Sequence, residues 1–274
     1  METATVDLLD RIRKTAPLVH NITNLVVMNA TANILLAVGA SPVMAHSRNE
    51  VADMAALAGA LVLNIGTLDE RWIEAMLLAA NAANQRGIPV ILDPVGAGAT
   101  HYRTQTAERI LGESQVSVIR GNASEVLSLA VAGVKTKGVE SSLTLSDDIV
   151  DTAGAIARQH DCIVAISGDR DLITDGDQAF RVANGVPLMT RVTGLGCGLS
   201  AITGAFCAAA DGRSRLTAVA AAFGYYGLCG ELALAVSDRP GSFFVAFLDA
   251  LYTVGEPEIR DRLRIQPPTE SCSA

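Results

Sequence analysis

Residues 61–93, LVLNIGTLDERWIEAMLLAANAANQRGIPVILD, decide the fold of this chain. The stretch begins with an apolar run at 61–65, continues through a helical pattern at 69–86 and returns to an apolar run at 89–93. Short, nearly continuous apolar runs are typical of strands that are buried on both faces of a parallel sheet. A strand, a helix and a second strand in this order predict an α/β fold.

The same alternation extends over most of the chain. Strands are predicted at 43–45, 61–65, 89–93, 116–120 and 163–167, and helices at 24–38, 50–57, 69–86, 123–131 and 147–159. Turn residues then separate short segments at 172–174, 179–182 and 187–190, which predict antiparallel strands at one sheet edge. Further helices are predicted at 196–210, 216–236 and 242–253. We predict one domain over residues 1–265 and a disordered tail over 266–274.

Composition and charge exclude several classes of protein. The chain has 274 residues, of which 50% are hydrophobic and 18% charged, so it can bury a large core and is not a disordered protein. Its net charge is 21 − 29 = −8, which does not favour a nucleic-acid partner. The first residues are acidic and no apolar segment follows them, so we expect a cytoplasmic protein.

Two further features bear on a membrane span and on a cysteine framework. Residues 216–236 approach the length of a bilayer span, but they are rich in Ala and Gly and carry Glu231 mid-segment, so we predict a buried helix and no membrane partner. The five cysteines contain no C-x-x-C pair, so we expect free thiols and neither a disulfide framework nor a structural zinc site.

Polar residues and glycines follow the predicted strands. Gly66, Asp93, Arg120 and Ser167 each stand at or directly after the end of an apolar run. In open α/β sheets, ligands bind beyond the carboxyl ends of the parallel strands. We therefore predict that these residues meet at one edge of the sheet and form the functional site.

The segment Thr193-Gly-Leu-Gly-Cys-Gly198 leads directly into an apolar helix. Its glycines and the helix N-terminus would turn the N–H groups of Gly194, Leu195, Gly196 and Cys197 toward an anion such as a phosphate. The same setting would lower the pKa of the Cys197 thiol and enrich its thiolate. The alternative interpretation is a tight turn that carries a buried cysteine.

Charged residues near the predicted anion site suggest a metal-bound nucleotide. Arg120 can neutralise a polyphosphate, and Asp93 and Glu125 can hold water bound to magnesium. Alternatively, Glu125 only favours the start of the following helix and Arg120 only pairs with a nearby acid. His20 is either a catalytic residue or a structural histidine, and no P-loop signature is present.

Six motifs in the same order resemble those of the hydroxyethylthiazole kinase family. They are Pro17-Leu-Val-His-Asn-Ile-Thr-Asn24, Gly39-Ala-Ser-Pro-Val-Met44, Asn64-Ile-Gly-Thr67, Asp93-Pro-Val-Gly96, Ile119-Arg-Gly-Asn-Ala-Ser-Glu125 and Gly194-Leu-Gly-Cys-Gly198. The similarity extends from about residue 8 to residue 254. It implies a ribokinase-like, three-layer fold and transfer of a phosphoryl group from Mg-ATP to the primary hydroxyl of 4-methyl-5-(2-hydroxyethyl)thiazole in thiamine salvage.

The resemblance also implies roles for individual residues. It places Asn24, Val26, Met44, Gly66 and Gly194 in the thiazole pocket, Arg120 and Ser167 at the ATP phosphates, Asp93 and Glu125 at magnesium, and Cys197 beside the acceptor hydroxyl. It further implies a homotrimer with sites between subunits. Leu195 and Ser167 depart from the residues that are usual in the family, and Leu195 puts a side-chain contact in the anion-hole loop in doubt.

Three other functions remain open at this point. Cys197 could form a covalent intermediate with His20 as its base. The chain could bind a nucleotide as a sensor without turnover. It could also phosphorylate a different small alcohol, such as a pyrimidine or pyridine relative of the thiazole.

Overall fold

The computed structural model describes residues 1–130, 147–210 and 212–270. The helices in these ranges are α1 (Glu2–Thr15), α2 (Met28–Val38), α3 (Val51–Leu57), α4 (Glu70–Arg86), α5 (His101–Glu113), α6 (Ala123–Leu127), α7 (Asp147–His160), α8 (Leu195–Ala209), α9 (Arg215–Val236), α10 (Pro240–Thr253) and α11 (Glu256–Arg262). The strands are β1 (Leu18–Ile22), β2 (Ser41–Val43), β3 (Ala60–Asn64), β4 (Val90–Asp93), β5 (Val118–Asn122), β6 (Ile163–Ser167), β7 (Asp171–Thr174), β8 (Gln178–Val182) and β9 (Ile265–Glu270).

These strands form one sheet in the order β2-β1-β3-β4-β5-β6-β7-β8-β9. The pairs from β2 to β6 are parallel, and the pairs from β6 to β9 are antiparallel. One hydrophobic core packs α1, α2, α8, α9 and α10 against one face, and a second core packs α3 to α7 against the other. The predicted α/β fold with a mostly parallel sheet between two helical layers is confirmed.

Small residues allow the helices to approach the sheet closely. A Cβ at Gly204 of α8 would lie 3.0 Å from Val62 Cγ2 and 3.3 Å from Val19 Cγ1. The helix α9 is long and apolar enough to cross a membrane, but 72% of its most apolar window is buried inside the fold. The prediction of a buried core helix over residues 216–236 is therefore confirmed.

Three elements at the start of the chain and in its middle were not predicted. They are α1, β1 and α5. The predicted helix at 24–38 begins only at Met28, since residues 23–27 form the turn that leads out of β1. The helix α6 ends at Leu127, and residue 131, its predicted end, lies outside the described residues.

The predicted strand at 187–190 is wrong, because Pro187–Arg191 is a short 3-10 helix. Proline fixes φ near the helical value and lacks the N–H that a sheet ladder requires, and Pro187 stands at the first turn of this helix.

The predicted disorder of residues 266–270 is also wrong. They belong to β9, which pairs antiparallel with β8 and brings Ile265 opposite Val182. Ile265 packs against the first core, and the edge position tolerates Pro267 and Pro268, which lack an N–H for a second neighbour. The remaining predicted tail, residues 271–274 with Cys272, lies outside the described residues.

Candidate active site

The parallel strands end on one side of the sheet, and the polar residues that follow them converge there. Asn64 and Asp93 end β3 and β4, Arg120 lies within β5, and Ser167 ends β6. The helix α8 begins over this edge, since Gly196 contacts Arg120. The predicted convergence is therefore present in the structure.

Asp93 lies at the centre of a buried polar cluster. Asn64 Nδ2 and Ser200 Oγ both donate to Asp93 Oδ2 at 2.7 Å. Arg120 Nη1 lies 3.9 Å from the same oxygen, and the side chain of Asp93 is only 2% exposed. Burial raises the pKa of the Asp93 carboxyl, and the positive charge of Arg120 opposes this effect.

Arg120 joins the end of β6 to the start of α8. Its Nη2 donates to Ser167 Oγ at 2.8 Å, and its Nη1 donates to the carbonyl oxygen of Gly196 at 2.9 Å. Its Nε is buried and has no hydrogen-bond partner within the described part of the chain. The structure thus brings together the two residues predicted at the ATP phosphates, and the Ser167 hydroxyl makes a contact that the usual threonine could also make.

The N-terminus of α8 has the geometry of an anion-binding turn. Gly194 caps the helix with φ +91°, a left-handed conformation that favours glycine. The N–H of Gly198 donates to the carbonyl oxygen of Gly194 at 2.7 Å, so the N–H groups of residues 195–197 precede the intrahelical ladder. They are three of the four N–H groups predicted for an anion hole, and the fourth belongs to Gly194, the residue that caps the helix.

Leu195 does not disturb this turn. Its side chain is buried in the first core, with 2% exposed, and its carbonyl oxygen accepts a hydrogen bond from Tyr226 Oη at 2.8 Å. A Cβ at Gly198 would lie 2.5 Å from Ile34 Cδ1, so the third glycine of the motif serves close packing. The Leu195 side chain therefore packs in the core and contributes no polar contact to the anion-hole loop, where a different residue is usual in the family.

Cys197 lies beside the amide cluster. Asn24 Nδ2 donates to Asn64 Oδ1 at 2.9 Å and lies 3.5 Å from Cys197 Sγ. Burial, with the charge of Asp93 as a second cause, raises the pKa of the Cys197 thiol to about 11. The prediction of an enriched thiolate is therefore wrong, because loss of water around the thiol and the charge of Asp93 raise the pKa more than the charge of Arg120 and the nearby side-chain amides lower it.

We expect alkylation of Cys197 by iodoacetamide to accelerate about tenfold per pH unit between pH 7 and pH 10, because the thiolate is the reactive form. Peptide mass spectrometry after timed quenching measures this rate. The peptide of Cys162, whose pKa burial raises to about 12, serves as an internal control and should react more slowly. A Cys197 rate that already levels off below pH 8 would contradict the raised pKa.

Glu125 makes the contacts that the helix-start interpretation requires. Its Oε2 accepts from the N–H of Asn122 at 2.9 Å, while Asn122 Oδ1 accepts from the N–H of Glu125 at 2.9 Å, so the two form a capping box at the start of α6. Its Oε1 accepts from the N–H of Gly96 at 2.9 Å. The helix-start interpretation is thus correct. The hydrogen bonds from Asn122 and Gly96 also hold the Glu125 carboxylate close to the ends of β4 and β5.

Asp93 and Glu125 fit a magnesium ion by the chemistry of their donors. Asp93 Oδ2 already accepts from Asn64 and Ser200, so Asp93 Oδ1 and the two oxygens of Glu125, which accept one hydrogen bond each, offer the remaining lone pairs. Mg²⁺ is usually held by one or two carboxylates together with water and substrate phosphates. The described residues contain no group of three or more His, Cys, Asp or Glu that could hold a metal. The pair is therefore suited to a water-rich magnesium site and not to a cage of protein ligands.

The residues of the predicted thiazole pocket are only partly brought together. A Cβ at Gly66 would lie 2.8 Å from Asn24 Nδ2, and Gly194 lies against Val27. Asn24, Gly66, Gly194 and Cys197 therefore surround one region. The N–H of Val26 donates to Asn24 Oδ1 at 3.1 Å, while its side chain is 67% exposed in the single chain. Met44 follows β2 and is half-buried.

His20 has a structural environment. It lies within β1, is fully buried, and its Nε2 donates to the carbonyl oxygen of Ala45 at 2.8 Å. Burial lowers its pKa, so the imidazole stays neutral near pH 7. His20 thus holds the loop after β2, as the structural interpretation requires.

Sequence reasoning missed several residues of the site. Asn64 begins the motif Asn64-Ile-Gly-Thr67, which by itself indicates no function for its side chain. Ser200 follows Cys197 by three residues, a spacing that places both on one face of α8. Asp171 begins β7, and its Oδ1 accepts from the N–H of Gly168 at 3.0 Å. Burial raises the pKa of the Asp171 carboxyl to about 7.

Asp171→Asn should stabilise the protein increasingly as pH rises. The pKa of Asp171 is higher in the folded than in the unfolded state, so its contribution to stability is present at low pH and is lost as pH rises to about 7. We expect the free energy of unfolding of the variant to exceed that of the wild type by about 1 kcal/mol or more at pH 8 and to differ little from it at pH 4. Urea unfolding at both values measures this, with exposed Asp169→Asn as the control. A difference that does not change with pH would refute the prediction.

A separate cleft lies away from these residues. It has a volume of about 530 Å³ and is lined by His46, Ser47, Arg48, Asn49, Asp69, Arg71 and Trp72. None of the predicted site residues lines it. Because the carboxylates, the thiol and the buried guanidinium lie elsewhere, cleft volume does not locate the chemistry of this protein.

Comparisons with known proteins agree with the geometry. The model of the "Hydroxyethylthiazole kinase family" matches residues 9–257. The chain is 53% identical to a hydroxyethylthiazole kinase of Desulfotalea psychrophila over 97% of its length and 96% of the relative, and 50% identical to one of Moorella thermoacetica over 93% and 95%. A solved structure of a hydroxyethylthiazole kinase protein from Pyrococcus horikoshii matches with a TM-score of 0.88 and 42% identity, covering 98% of this chain and 100% of that one. A pyridoxal kinase from Staphylococcus aureus, at 16% identity and a TM-score of 0.64, covers 93% of this chain and 99% of its own and shares the fold.

Proposed function

This chain belongs to the hydroxyethylthiazole kinase family, and we propose that its site transfers the terminal phosphoryl group of Mg-ATP to the primary hydroxyl of 4-methyl-5-(2-hydroxyethyl)thiazole. The products are the thiazole phosphate and ADP. One observation carries the proposal: Arg120 joins Ser167 to the first turn of α8 on one side of the cluster, while Asn24 meets Cys197 on the other. An anion site and an acceptor site thus adjoin each other.

In this proposal, neutralisation of negative charge accounts for most of the rate enhancement. Phosphoryl transfer passes through a loose transition state, in which positioning and electrostatic stabilisation outweigh covalent chemistry by the protein. In this proposal the guanidinium of Arg120, which contacts the first turn of α8, and the N–H groups of residues 195–197 would stabilise the negative charge on the transferred group. Asp93 and Glu125 would hold a magnesium ion, whose charge neutralises the ATP phosphates.

Cys197 positions the acceptor alcohol and does not deprotonate it beforehand. Its thiol is protonated at neutral pH, since its pKa is raised to about 11. A loose transition state requires little removal of the hydroxyl proton before transfer, so a neutral thiol is compatible with the reaction. Asn24, held by Asn64 Oδ1, sets the orientation of the groups around the sulfur.

The test is to incubate the pure protein with Mg-ATP and the thiazole alcohol and to look for the phosphate ester and ADP by mass spectrometry. Formation of both supports the proposal. ATP binding without ester would support the sensor function instead. A substrate-dependent adduct on Cys197 in the intact-mass spectrum would support covalent catalysis, and faster turnover of a pyrimidine or pyridine alcohol would reassign the acceptor.

We also propose a homotrimer with its sites between subunits. Leu25 and Val26, which follow Asn24 directly, are 66% and 67% exposed, and Leu36 on α2 is 58% exposed. A subunit packed over this apolar surface would bury these side chains and close the acceptor side. Light scattering after gel filtration tests the assembly. A monomer with full activity would contradict it.

A further inference from the structure

Arg103 occupies an unusual place beneath the site. It lies in the first turn of α5, and its guanidinium donates to three backbone carbonyl oxygens. Nη1 donates to Ile65 at 3.0 Å and to Val95 at 2.6 Å, and Nη2 donates to Gly66 at 2.8 Å. The three carbonyl oxygens that accept from this guanidinium thus belong to the turns that follow β3 and β4.

Each of these turns carries a different part of the site. Gly66 packs against Asn24, which contacts Cys197 on the acceptor side. Val95 precedes Gly96, whose N–H donates to Glu125 Oε1 at 2.9 Å. One guanidinium therefore ties the acceptor wall to the segment that holds a carboxylate.

The local sequence makes room for this arrangement. A Cβ at Gly96, which has φ +74°, would lie 3.0 Å from Arg103 Cδ, so a glycine lets the arginine stem pass. Thr100 caps α5 by accepting from the N–H of Arg103 at 3.3 Å, which fixes where the side chain starts. Only a planar guanidinium offers donors in a fixed fork that reaches carbonyls of two turns at once.

We propose that Arg103 is a positioning residue of this kinase site, which holds the turns after β3 and β4 at a fixed separation. It acts through Gly66 on the acceptor wall and through Gly96 on Glu125. The proposal rests on the proposed function, and it assigns Arg103 no contact with the acceptor or with ATP.

The test compares Arg103→Met and Arg103→Lys with Arg109→Met. Arg109 lies on the same helix but is exposed and pairs with Glu113 at 2.7 Å, so it is a matched control. We expect Arg103→Met to lower kcat/KM for the thiazole alcohol by about 10²-fold, because small displacements of positioned groups cost that much. KM for ATP should rise less than KM for the alcohol, because on the ATP side only Glu125 depends on Arg103, whereas the contacts of Arg120 and Ser167 do not involve it. Arg103→Lys should lie between Arg103→Met and the wild type.

Two further readouts separate positioning from a general loss of structure. Millimolar guanidinium should restore activity to Arg103→Ala, whereas sodium chloride at equal ionic strength should not. Hydrogen exchange should show lower protection of the 65–66 and 95–96 turns in Arg103→Met and unchanged protection in Arg109→Met. Wild-type kinetics in Arg103→Met, or unchanged exchange at both turns, would overturn the proposal. If the wild type forms no ester, the proposed function fails, and the exchange comparison still decides whether Arg103 holds the two turns.

Discussion

Arg120→Met should lower kcat by about 10³-fold, whereas Cys197→Ala should lower kcat by about tenfold or less. Arg120 is 7% exposed, and its guanidinium already contacts Ser167 and the first turn of α8. A buried cation at this position would stabilise the transferred charge, because little water is present to screen it. Met fills similar space but supplies no charge.

The smaller effect at Cys197 follows from its protonation. A thiol with a pKa of about 11 is not available as a base near pH 7, so its removal costs only the positioning of the acceptor. Steady-state kcat values of both variants, with folding checked by circular dichroism, measure the difference. Arg170→Met is the control, because Arg170 is exposed between β6 and β7. If Cys197→Ala lost more activity than Arg120→Met, this division of roles would be wrong.

Local sequence patterns predicted those strands whose own composition is enough to identify them. The apolar runs that became β3, β4 and β6 are buried on both faces, so their composition alone identifies them. Strand β1 was missed because His20 and Asn21 interrupt its apolar pattern, although both are fully buried. Strand β9 was missed because two prolines suggest a tail, and only its pairing with β8 makes it a strand.

The site was predictable in its position and less so in its electrostatics. Strand-end residues share one sheet edge in any parallel fold, which placed Asp93, Arg120 and Ser167 correctly. The pKa of Cys197 depends on how much water the finished fold removes and on the charge of Asp93, and neither is visible in a local motif. The role of Ser200 likewise depends on α8 lying across β4, which no local pattern contains.

Asp93→Asn should separate activity from stability. We expect kcat to fall by about 10²-fold, because the variant loses the carboxylate that pairs with Arg120 and would hold magnesium. Asp93→Asn should remain more stable than Asp93→Ala, because the amide keeps a hydrogen-bond acceptor in the buried cluster. Burial raises the pKa of Asp93 in the fold, so the ionised carboxylate destabilises the folded state above its ordinary pKa, and this cost disappears in the variant. The loss of a partner for Arg120 acts in the opposite direction.

The hydrogen bonds of Asp93 provide the matched comparison. In Asp93→Asn the new side-chain amide oxygen can still accept from Ser200, whereas Asp93→Ala leaves the donors of Asn64 and Ser200 buried without their acceptor. Each such loss costs about 1–3 kcal/mol, so Asp93→Ala should unfold at clearly lower urea concentration than Asp93→Asn. Urea unfolding and kcat at saturating substrates measure the two properties on the same samples. If Asp93→Asn kept kcat within threefold of the wild type, the catalytic role of this carboxylate would be refuted, because its fold would be intact while its charge was gone.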